Sequence, residues 1–126
     1  MKIYGIGTDI VSVDRIKKLV KNKKILKKIF SNEEITKCKK LINSCNCYAK
    51  RFAAKEAFSK ALGTGISSGI SFNEITVVNK KNGKPIIKLI GKTLIIIKKK
   101  LNKKAKFFLS ISDEEKYAIA FVTISL

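Results

Sequence analysis

The sequence predicts an α+β fold in which helices, mainly from the first half of the chain, pack on a mainly antiparallel sheet. Two observations support this class. Helical periodicity prevails from residue 12 to residue 62, and short apolar strands separated by turn residues prevail after residue 72. The length of 126 residues fits one domain, and no repeat or linker divides it. We therefore predict a single domain over residues 1–126.

The first half opens with a predicted strand over residues 3–11, which are mostly apolar and β-branched. Gly5 and Gly7 inside this run indicate a backbone that another part of the chain approaches closely. From Ser12 onward, apolar residues recur every three to four positions, which predicts a helix. A further short amphipathic run extends over residues 25–30.

Two helix boundaries carry typical end residues. Ser31, followed three positions later by Glu34, matches a capping box, so a helix is expected to begin there. The segment 48–62, YAKRFAAKEAFSKAL, is the strongest helix of the sequence because it is rich in Ala and Lys. Gly63 follows it as the expected C-cap.

The second half alternates strands with turns and contains one predicted helix over residues 91–102. The segment 79–85, NKKNGKP, contains an Asn-Gly turn between two strands. Residues 113–116 are expected to join the last two strands as a hairpin. The predicted strands cover residues 72–78, 86–90, 107–112 and 117–124.

The chain is strongly basic, with 28 Lys and Arg, 9 Asp and Glu, and a formal net charge of +19. Such a surface attracts polyanions, including nucleic acid, acidic membranes, acidic proteins and phosphorylated cofactors. Arg15 and Arg51 are the only arginines, and base reading favours Arg over Lys. A nucleic-acid-binding module without catalysis is therefore an alternative that the composition disfavours. General solubility is the other interpretation of the lysine excess.

Several classes of chemistry are excluded by composition. The sequence has no His, which removes Ser-His-Asp and Cys-His catalysis and histidine metal sites. The three cysteines at positions 38, 45 and 47 are too few for a structural zinc site, and we expect them to be reduced thiols. No run approaches the roughly 18 apolar residues needed to span a membrane.

Candidate chemistry concentrates on carboxylates and a lysine. Asp9 lies in an apolar strand, where a charge is costly unless it is paired or metal-bound; the alternative is a strand-end residue that caps the next helix. Glu56 and Lys60 are four residues apart on the strongest helix, and the alternative for them is a solvated ion pair. Two carboxylates and a lysine suit Mg²⁺ and a polyphosphate.

The glycine-rich segment 63–69, GTGISSG, follows that helix and offers backbone N–H groups to a phosphate. It matches neither the Rossmann GxGxxG pattern after a strand nor the Walker A motif. An ordinary helix-ending loop is the alternative interpretation.

Four strings in order carry a resemblance to a known family: GIGTDIV, RFAAKEAFSKALGTG, NGKP and SIS. Together they resemble the holo-[acyl-carrier-protein] synthases, the small trimeric class of 4′-phosphopantetheinyl transferases. The resemblance covers nearly the whole chain. It implies transfer of 4′-phosphopantetheine from coenzyme A to a serine of apo-acyl carrier protein, with release of adenosine 3′,5′-bisphosphate.

The resemblance also implies roles for individual residues. Asp9 and Glu56 match the carboxylates that hold Mg²⁺ against the coenzyme A pyrophosphate. Lys60 matches the basic residue that faces the phosphates. These three are the implied catalytic residues. The implied cofactor-binding residues are Arg51, Lys60, Gly63, Thr64, Gly65, Asn82, Gly83, Lys84 and Pro85.

The expected partners follow from the same resemblance. Arg15 matches a residue that docks the acidic carrier protein, and Lys17, Lys18 and Lys21 lie near it. The implied assembly is a homotrimer with active sites at subunit interfaces, with no nucleic acid and no membrane. The implied compartment is the bacterial cytoplasm, or a plastid-like organelle.

One position departs from the family pattern. The family has a His after the Ser-x-Ser/Thr of the final strand pair, where this chain has Asp113. An Asp repels nucleotide phosphates, so the local contacts there are expected to differ, with nearby lysines to compensate. An inactive scaffold of the same fold is the alternative that Asp113 raises.

Overall fold

The computed structural model of the protein describes residues 1–63 and 69–126. The predicted α+β class is confirmed. The helices in the described residues are α1 (Val13–Leu19), α2 (Lys23–Ile29), α3 (Asn32–Cys38), α4 (Ser44–Leu62) and α5 (Gly91–Lys100), with a 3₁₀ turn at Phe72–Glu74. The strands are β1 (Ile3–Ser12), β2 (Ile75–Asn79), β3 (Pro85–Leu89), β4 (Lys106–Asp113) and β5 (Tyr117–Ser125).

Both sheets in the described residues are antiparallel. One has the order β1–β5–β4, and β2 and β3 form a separate hairpin. Gly83 adopts φ +88° in the tight turn between β2 and β3, which explains the Asn-Gly pair there. The predicted hairpin across residues 113–116 is confirmed by the pairing of β4 with β5.

Helix α4 packs on one face of the β1–β5–β4 sheet and forms the centre of the core. The expected close approach at the glycines of β1 is confirmed. A Cβ added at Gly5 would overlap the carbonyl oxygen of Ala61, and one at Gly7 would overlap that of Ala57. The strand therefore lies directly on the helix backbone, and that contact fixes the position of β1 relative to α4.

The predicted capping box at the start of α3 is confirmed, and its glutamate has a second role. Glu34 accepts from the Ser31 backbone N–H, while its other carboxylate oxygen accepts from Val77 N–H at 2.9 Å. The buried Lys55 ammonium donates to Glu34 at 2.7 Å and to the carbonyl oxygens of Phe72 and the first residue of β2. This fully buried pair joins α3, α4 and β2.

The expectation of three reduced cysteines was wrong for two of them. Cys38 and Cys47 form a disulfide with a Cα–Cα distance of 5.5 Å, and Cys45 is free. Cys38 ends α3 and Cys47 lies in the first turn of α4, so the reversal of the chain between these helices brings the two thiols together. Sequence spacing alone does not reveal that reversal.

Some element boundaries differ from the prediction. Helix α4 begins at Ser44, four residues earlier than expected, because the CNC segment continues the helix toward the disulfide. Residues 72–74 form a 3₁₀ turn rather than the start of a strand, and the Phe72 carbonyl oxygen accepts from the Lys55 ammonium. Helix α5 ends at Lys100, where consecutive lysines reach solvent.

The face of the sheet that points away from α4 is apolar and exposed. Its large side chains are Ile6, Ile10, Phe108, Tyr117, Ile119 and Phe121, and they are between 44% and 63% exposed. A contiguous apolar face of this kind is unusual on a monomer and marks an interaction surface. Within the part of the chain that is described, no helix is long and apolar enough to cross a membrane.

Candidate active site

Helix α4 supplies most of the ionisable side chains that sequence reasoning singled out. Small alanines let it lie close to the sheet, so its polar side chains emerge at the edges of the contact. Glu56 and Lys60 emerge toward β1, one turn apart, whereas Arg51 emerges toward α3 and β2. The candidate site therefore has two regions, at different positions along helix α4.

The first region joins β1 to the later part of α4, and we call Asp9, Glu56 and Lys60 the carboxylate cleft. Asp9 pairs with Ala120 of β5 in the register, on the face that α4 covers. Its carboxylate accepts from Lys60 Nζ at 3.3 Å, and the same ammonium donates to the Thr8 carbonyl oxygen at 3.0 Å. Lys60 remains 57% exposed, so its charge is also accessible from solvent.

The alternative interpretations, a helix cap for Asp9 and a solvated ion pair between Glu56 and Lys60, are both wrong. The cap of α1 is Ser12, whose hydroxyl accepts from the Arg15 N–H, so Asp9 does not cap that helix. Lys60 pairs with Asp9 across elements, and the ion pairs of the described residues do not include one between Glu56 and Lys60.

Glu56 is electrostatically unfavourable as a carboxylate in this cleft. Partial burial, and after it the charge of Asp9, raise the pKa of Glu56, while Lys60 and Arg15 act in the opposite direction. A carboxylate whose ionised form is disfavoured by burial and by a neighbouring carboxylate is stabilised by a cation placed beside it. The cleft thus has a local excess of negative charge on an otherwise basic molecule.

The donor set of the cleft fits Mg²⁺. This ion takes one or two protein carboxylates and completes its octahedron with water and substrate phosphates. Among residues 1–63 and 69–126, no group of three or more His, Cys, Asp and Glu side chains lies close enough together to hold a metal. A site with two carboxylates suits Mg²⁺ and does not suit a zinc centre with three or four protein ligands.

The predicted docking residues border this cleft. Arg15 lies over the Phe52 ring with its guanidinium 5.9 Å from the ring centroid, and its charge reaches Glu56. Lys17 and Lys18 are exposed beside it on α1. The structure therefore brings a basic surface and the carboxylate cleft together at one edge of the molecule.

The second region is a cavity of about 580 Å³ between α3, α4 and the β2–β3 hairpin, which we call the basic pocket. The charges of Arg51 and Lys50, after burial, lower the pKa of Lys37, which indicates a concentration of positive charge. Such a cavity is complementary to phosphate groups. Its lining comprises Lys37, Lys40, Leu41, Ile42, Asn43, Asn46, Cys47, Lys50, Arg51, Asn79 and Asp113.

Arg51 is the buried charge at the base of this pocket. Its Nη1 donates to the Cys47 carbonyl oxygen and its Nη2 donates to Asn79 Oδ1 at 3.0 Å. Burial lowers the pKa of Arg51, while the charge of Glu34 raises it. Among the buried side-chain nitrogen and oxygen atoms of the described residues, Arg51 Nε remains without a hydrogen-bond partner. The guanidinium thus places positive charge at the base of the pocket, while its Nε itself is buried and unpaired.

Asp113 lies in the pocket wall, and its charge is compensated by the same chain. Asn46 Nδ2 donates to its carboxylate at 3.0 Å, and Lys50 Nζ lies 3.9 Å from the other carboxylate oxygen. Asp113 thus has partners that reduce its repulsion of phosphate. That its contacts differ from those of the family stays a prediction.

The remaining predicted residues that the structure describes do not line the basic pocket itself, and two others lie outside the described part. The turn with Asn82 and Gly83 approaches the pocket through Asn79, whose Nδ2 donates to the Gly83 carbonyl oxygen at 2.9 Å. Lys84 and Pro85 follow in that turn and at the start of β3. Gly63 ends α4 with φ +82° as predicted. Thr64 and Gly65 lie outside the described residues.

Sequence reasoning missed several residues of the basic pocket. Lys37, Lys40 and Lys50 belong to no motif, and the general lysine excess conceals them. Asn79 was assigned only to a turn, although it joins Arg51 to the hairpin. Its position three residues before the NGKP string is the feature that was available to find it.

Comparison with known proteins defines the class to which this fold and site belong. Residues 5–122 match the family model of the 4′-phosphopantetheinyl transferase superfamily. The protein is thus a phosphopantetheine transferase.

Similarity to individual proteins narrows the class further. The chain is 50% identical over 125 residues to a holo-[acyl-carrier-protein] synthase of Pelagibacter ubique, with 98% of each chain covered. Within the superfamily, the chain belongs to the holo-[acyl-carrier-protein] synthases.

Solved structures agree with this placement. The fold matches the crystal structure of holo-[acyl-carrier-protein] synthase from Neisseria meningitidis with a TM-score of 0.87 and 40% identity, covering 98% of this chain and 99% of that one. A Bacillus anthracis holo-(acyl-carrier-protein) synthase in complex with CoA (3′,5′-ADP) matches with a TM-score of 0.81 and 36% identity, covering 98% and 97%.

Proposed function

We propose that the protein transfers 4′-phosphopantetheine from coenzyme A to a serine of apo-acyl carrier protein and releases adenosine 3′,5′-bisphosphate. The observation that carries this proposal is the arrangement of α4, which presents the carboxylate cleft on one side and the basic pocket on the other. Arg51 and Glu56 are five residues apart, about 7 Å along the helix axis. That separation suits a substrate whose pyrophosphate and nucleotide ends are recognised separately.

At the carboxylate cleft, Asp9 and Glu56 would hold Mg²⁺. When bound, the ion supplies positive charge to the pyrophosphate and to the leaving group. Lys60 contributes a second positive charge, because its exposed ammonium can turn from Asp9 toward a phosphate oxygen. Catalysis by these residues rests on positioning and charge neutralisation, as in other phosphoryl transfers.

At the basic pocket, we assign the nucleotide end of coenzyme A to Arg51, supported by Lys37, Lys40 and Lys50. The lysine ammonium groups that line this pocket are donors for phosphate oxygens. The turn at residues 82–85 and the segment 63–65 complete the proposed cofactor site. The Bacillus anthracis relative, which binds CoA (3′,5′-ADP), supports this assignment.

The serine-bearing partner is proposed to approach α1. Arg15 and Lys18 present positive charge next to the carboxylate cleft, where the serine hydroxyl must arrive. An acidic carrier protein would be steered to this edge, and its association would weaken as salt increases. The general charge of +19 strengthens the steering without specifying the contact.

The exposed apolar face of the β1–β5–β4 sheet supports the proposed homotrimer. Six large apolar side chains stand on it, and copies of the same chain would remove them from water. The face shares Ile10 and Ile119 with a small cavity that also includes Asp113, so a neighbouring subunit would lie next to the site.

The bacterial relatives support the bacterial cytoplasm as the compartment of this protein, with a plastid-like organelle as the other candidate.

The proposal is tested by mass spectrometry of a carrier protein. Purified protein, incubated with coenzyme A, Mg²⁺ and apo-acyl carrier protein, is expected to add one phosphopantetheine group to the carrier. Removal of Mg²⁺ by a chelator, or the substitution Asp9→Ala, is expected to abolish the addition. Asp14→Ala, at an exposed carboxylate of α1, serves as the matched control and should retain activity. Full activity of Asp9→Ala would refute the metal assignment.

The same assay separates the alternatives. An inactive scaffold would bind carrier or coenzyme A and give no mass addition on any carrier. A nucleic-acid-binding module would bind duplex or single-stranded DNA with an affinity indifferent to Asp9 and to Mg²⁺. The composition disfavours that second alternative because Lys, rather than Arg, supplies the charge.

A further inference from the structure

The disulfide is the feature of the molecule that the transfer reaction does not use. It joins the last residue of α3 to the first turn of α4 across the 39–43 connection, the five residues that link these helices. Cys38 and Cys47 are nine residues apart, and short closed loops gain the least from loop closure. Stability alone is therefore a weak reason for a disulfide at this place.

The bond lies in the wall of the basic pocket. Cys47 itself lines the cavity, as do Leu41, Ile42 and Asn43 of the 39–43 connection. Arg51 Nη1 lies 3.3 Å from Cys47 Sγ and donates to it, in addition to its bond with the Cys47 carbonyl oxygen. The disulfide thus restrains the pocket wall and also contacts the buried arginine at its base.

We propose that Cys38 and Cys47 form a reversible thiol–disulfide exchange site for a dithiol reductant, and that its state sets the affinity of the basic pocket for the phosphates of coenzyme A. This inference rests on the proposed function, because it takes the basic pocket as the nucleotide end of the cofactor site. Disulfides in reducing compartments are usually transient, catalytic or redox-sensing, and a pocket-wall disulfide fits the last of these.

The exchange is chemically complete with one dithiol. A thiolate of the reductant attacks Cys38 Sγ, the S–S bond breaks, and Cys47 leaves as a thiolate beside the Arg51 guanidinium. The second reductant thiol then attacks the mixed disulfide, so that the reductant becomes a cyclic disulfide. One of its two protons ends on Cys38 and the other is released to solvent, which leaves Cys47 as the thiolate beside Arg51. A positive charge next to the leaving thiolate favours this direction of cleavage.

Access to the bond requires local opening, and the 39–43 connection is suited to it. Both sulfur-bearing residues are buried, with Cys38 fully inaccessible, but Ile42 is fully exposed and Leu41 is 47% exposed. A short connection with exposed side chains opens at a lower free energy than the packed helices on either side. Cys45 is free and partly exposed, so it does not replace either partner in the closed state.

Two effects of reduction act in the same direction on the basic pocket. Without the S–S bond, the 39–43 connection is no longer restrained, so Lys40 and its neighbours lose their fixed position in the wall. A Cys47 thiolate would also pair with Arg51 and compete with a bound phosphate for that guanidinium. Both effects weaken cofactor binding and leave the carboxylate cleft in place.

The first measurement establishes the exchange itself. Alkylation of the unfolded protein, followed by mass spectrometry, is expected to find one reactive thiol after oxidation by oxidised glutathione and three after treatment with a dithiol. The Cys45→Ser variant is expected to have no reactive thiol after oxidation and two after treatment with the dithiol. Three reactive thiols in the wild type after oxidation would overturn the proposal.

The second measurement tests the coupling. The KM for coenzyme A is expected to rise about tenfold on reduction, with kcat unchanged, as is typical of a coupling between two sites. Cys45→Ser should keep this response, whereas the double variant Cys38→Ser/Cys47→Ser should bind like the reduced protein in both conditions. Circular dichroism checks that the variants are folded. An equal KM in the two redox states of the wild type would overturn the proposal.

A binding probe separates this proposal from the proposed function. Adenosine 3′,5′-bisphosphate, the nucleotide end of coenzyme A, is titrated calorimetrically into oxidised and reduced protein. If no transfer is seen in either state but this nucleotide binds more weakly after reduction, the proposed function fails and the exchange site is supported. If transfer is normal and neither KM nor nucleotide affinity depends on the redox state, the function stands and the exchange site is refuted. Absence of nucleotide binding in both states also refutes it.

Discussion

The carboxylate cleft and the basic pocket lie on the same helix but depend on different kinds of contact. The cleft depends on backbone packing, because the glycines of β1 let the strand lie against α4 and place Asp9 beside Lys60. The pocket depends on side chains from α3, α4 and the β2–β3 hairpin, joined by a buried ion pair and a disulfide. The first region therefore requires the absence of side chains at Gly5 and Gly7, whereas the second requires particular side chains in its wall.

The largest expected effect is at the carboxylate cleft. Glu56→Gln removes one proposed metal ligand and should lower kcat on the order of 10³-fold, the loss seen when a group that stabilises the transition state is removed. Steady-state kinetics at saturating Mg²⁺ measure it. Glu33→Gln, on an exposed glutamate of α3, is the control and should keep full activity.

The same variant is expected to be more stable than the wild type. Because the pKa of Glu56 is raised in the folded protein, its ionised form disfavours folding, and this cost appears as the pH rises above 4.5, the ordinary value. Glu56→Gln should therefore raise Tm at pH 7, and the difference should shrink as the pH falls toward 4.5. A Tm below that of the wild type at pH 7 would contradict the repulsion between Glu56 and Asp9.

The next effect compares the lysines of the two regions. Lys55→Met leaves Glu34 as a buried charge without its partner and should lower the free energy of unfolding by about 3–5 kcal/mol. Lys60→Met breaks an ion pair whose lysine is 57% exposed, and it should change that free energy by less than about 1 kcal/mol. Urea unfolding of both variants measures the two changes in free energy of unfolding. Equal losses would show that burial does not determine how much each ion pair stabilises the fold.

A smaller effect is expected from Arg51→Lys in the basic pocket. A lysine lacks the planar guanidinium fork, in which separate nitrogens reach the Cys47 carbonyl oxygen and Asn79, so the KM for coenzyme A should rise about tenfold, the value of one charge-assisted hydrogen bond. We expect kcat to stay near that of the wild type because the carboxylate cleft is unchanged. Kinetics with varied coenzyme A concentration test this prediction. A fall in kcat with an unchanged KM would contradict the assignment of Arg51 to cofactor binding in the basic pocket.

The smallest effect is expected at the position where the chain departs from its family. Asp113→Asn keeps a partner for Asn46 and frees Lys50, so the KM for coenzyme A should fall about two- to threefold, the range of a partly exposed ion pair. The KM should also depend more steeply on salt, because one more cation faces the substrate. An increase in KM would show that Asp113 itself supports the substrate.

The sequence was sufficient for the fold class, most elements and the residues of the carboxylate cleft. Gly5, Gly7 and the capping box at Ser31 could be interpreted because each meets a local steric or hydrogen-bonding requirement. The basic pocket could not be predicted, since Lys37 and Asn79 are brought together only by the packing of α3 against β2. The disulfide was missed for the same reason, and the Lys55–Glu34 pair because an exposed lysine and a buried one look identical in sequence.

The pairing of β1 with β5 has a consequence for how the molecule forms. Ile3 pairs with Ser125, and Asp9 pairs with Ala120, so the strand that carries the first carboxylate is held by a strand far later in the chain. Contacts between such distant parts of a chain slow folding. During synthesis β1 remains without this partner, with its apolar side chains accessible to other nascent chains. The carboxylate cleft therefore forms only after β5 has been synthesised.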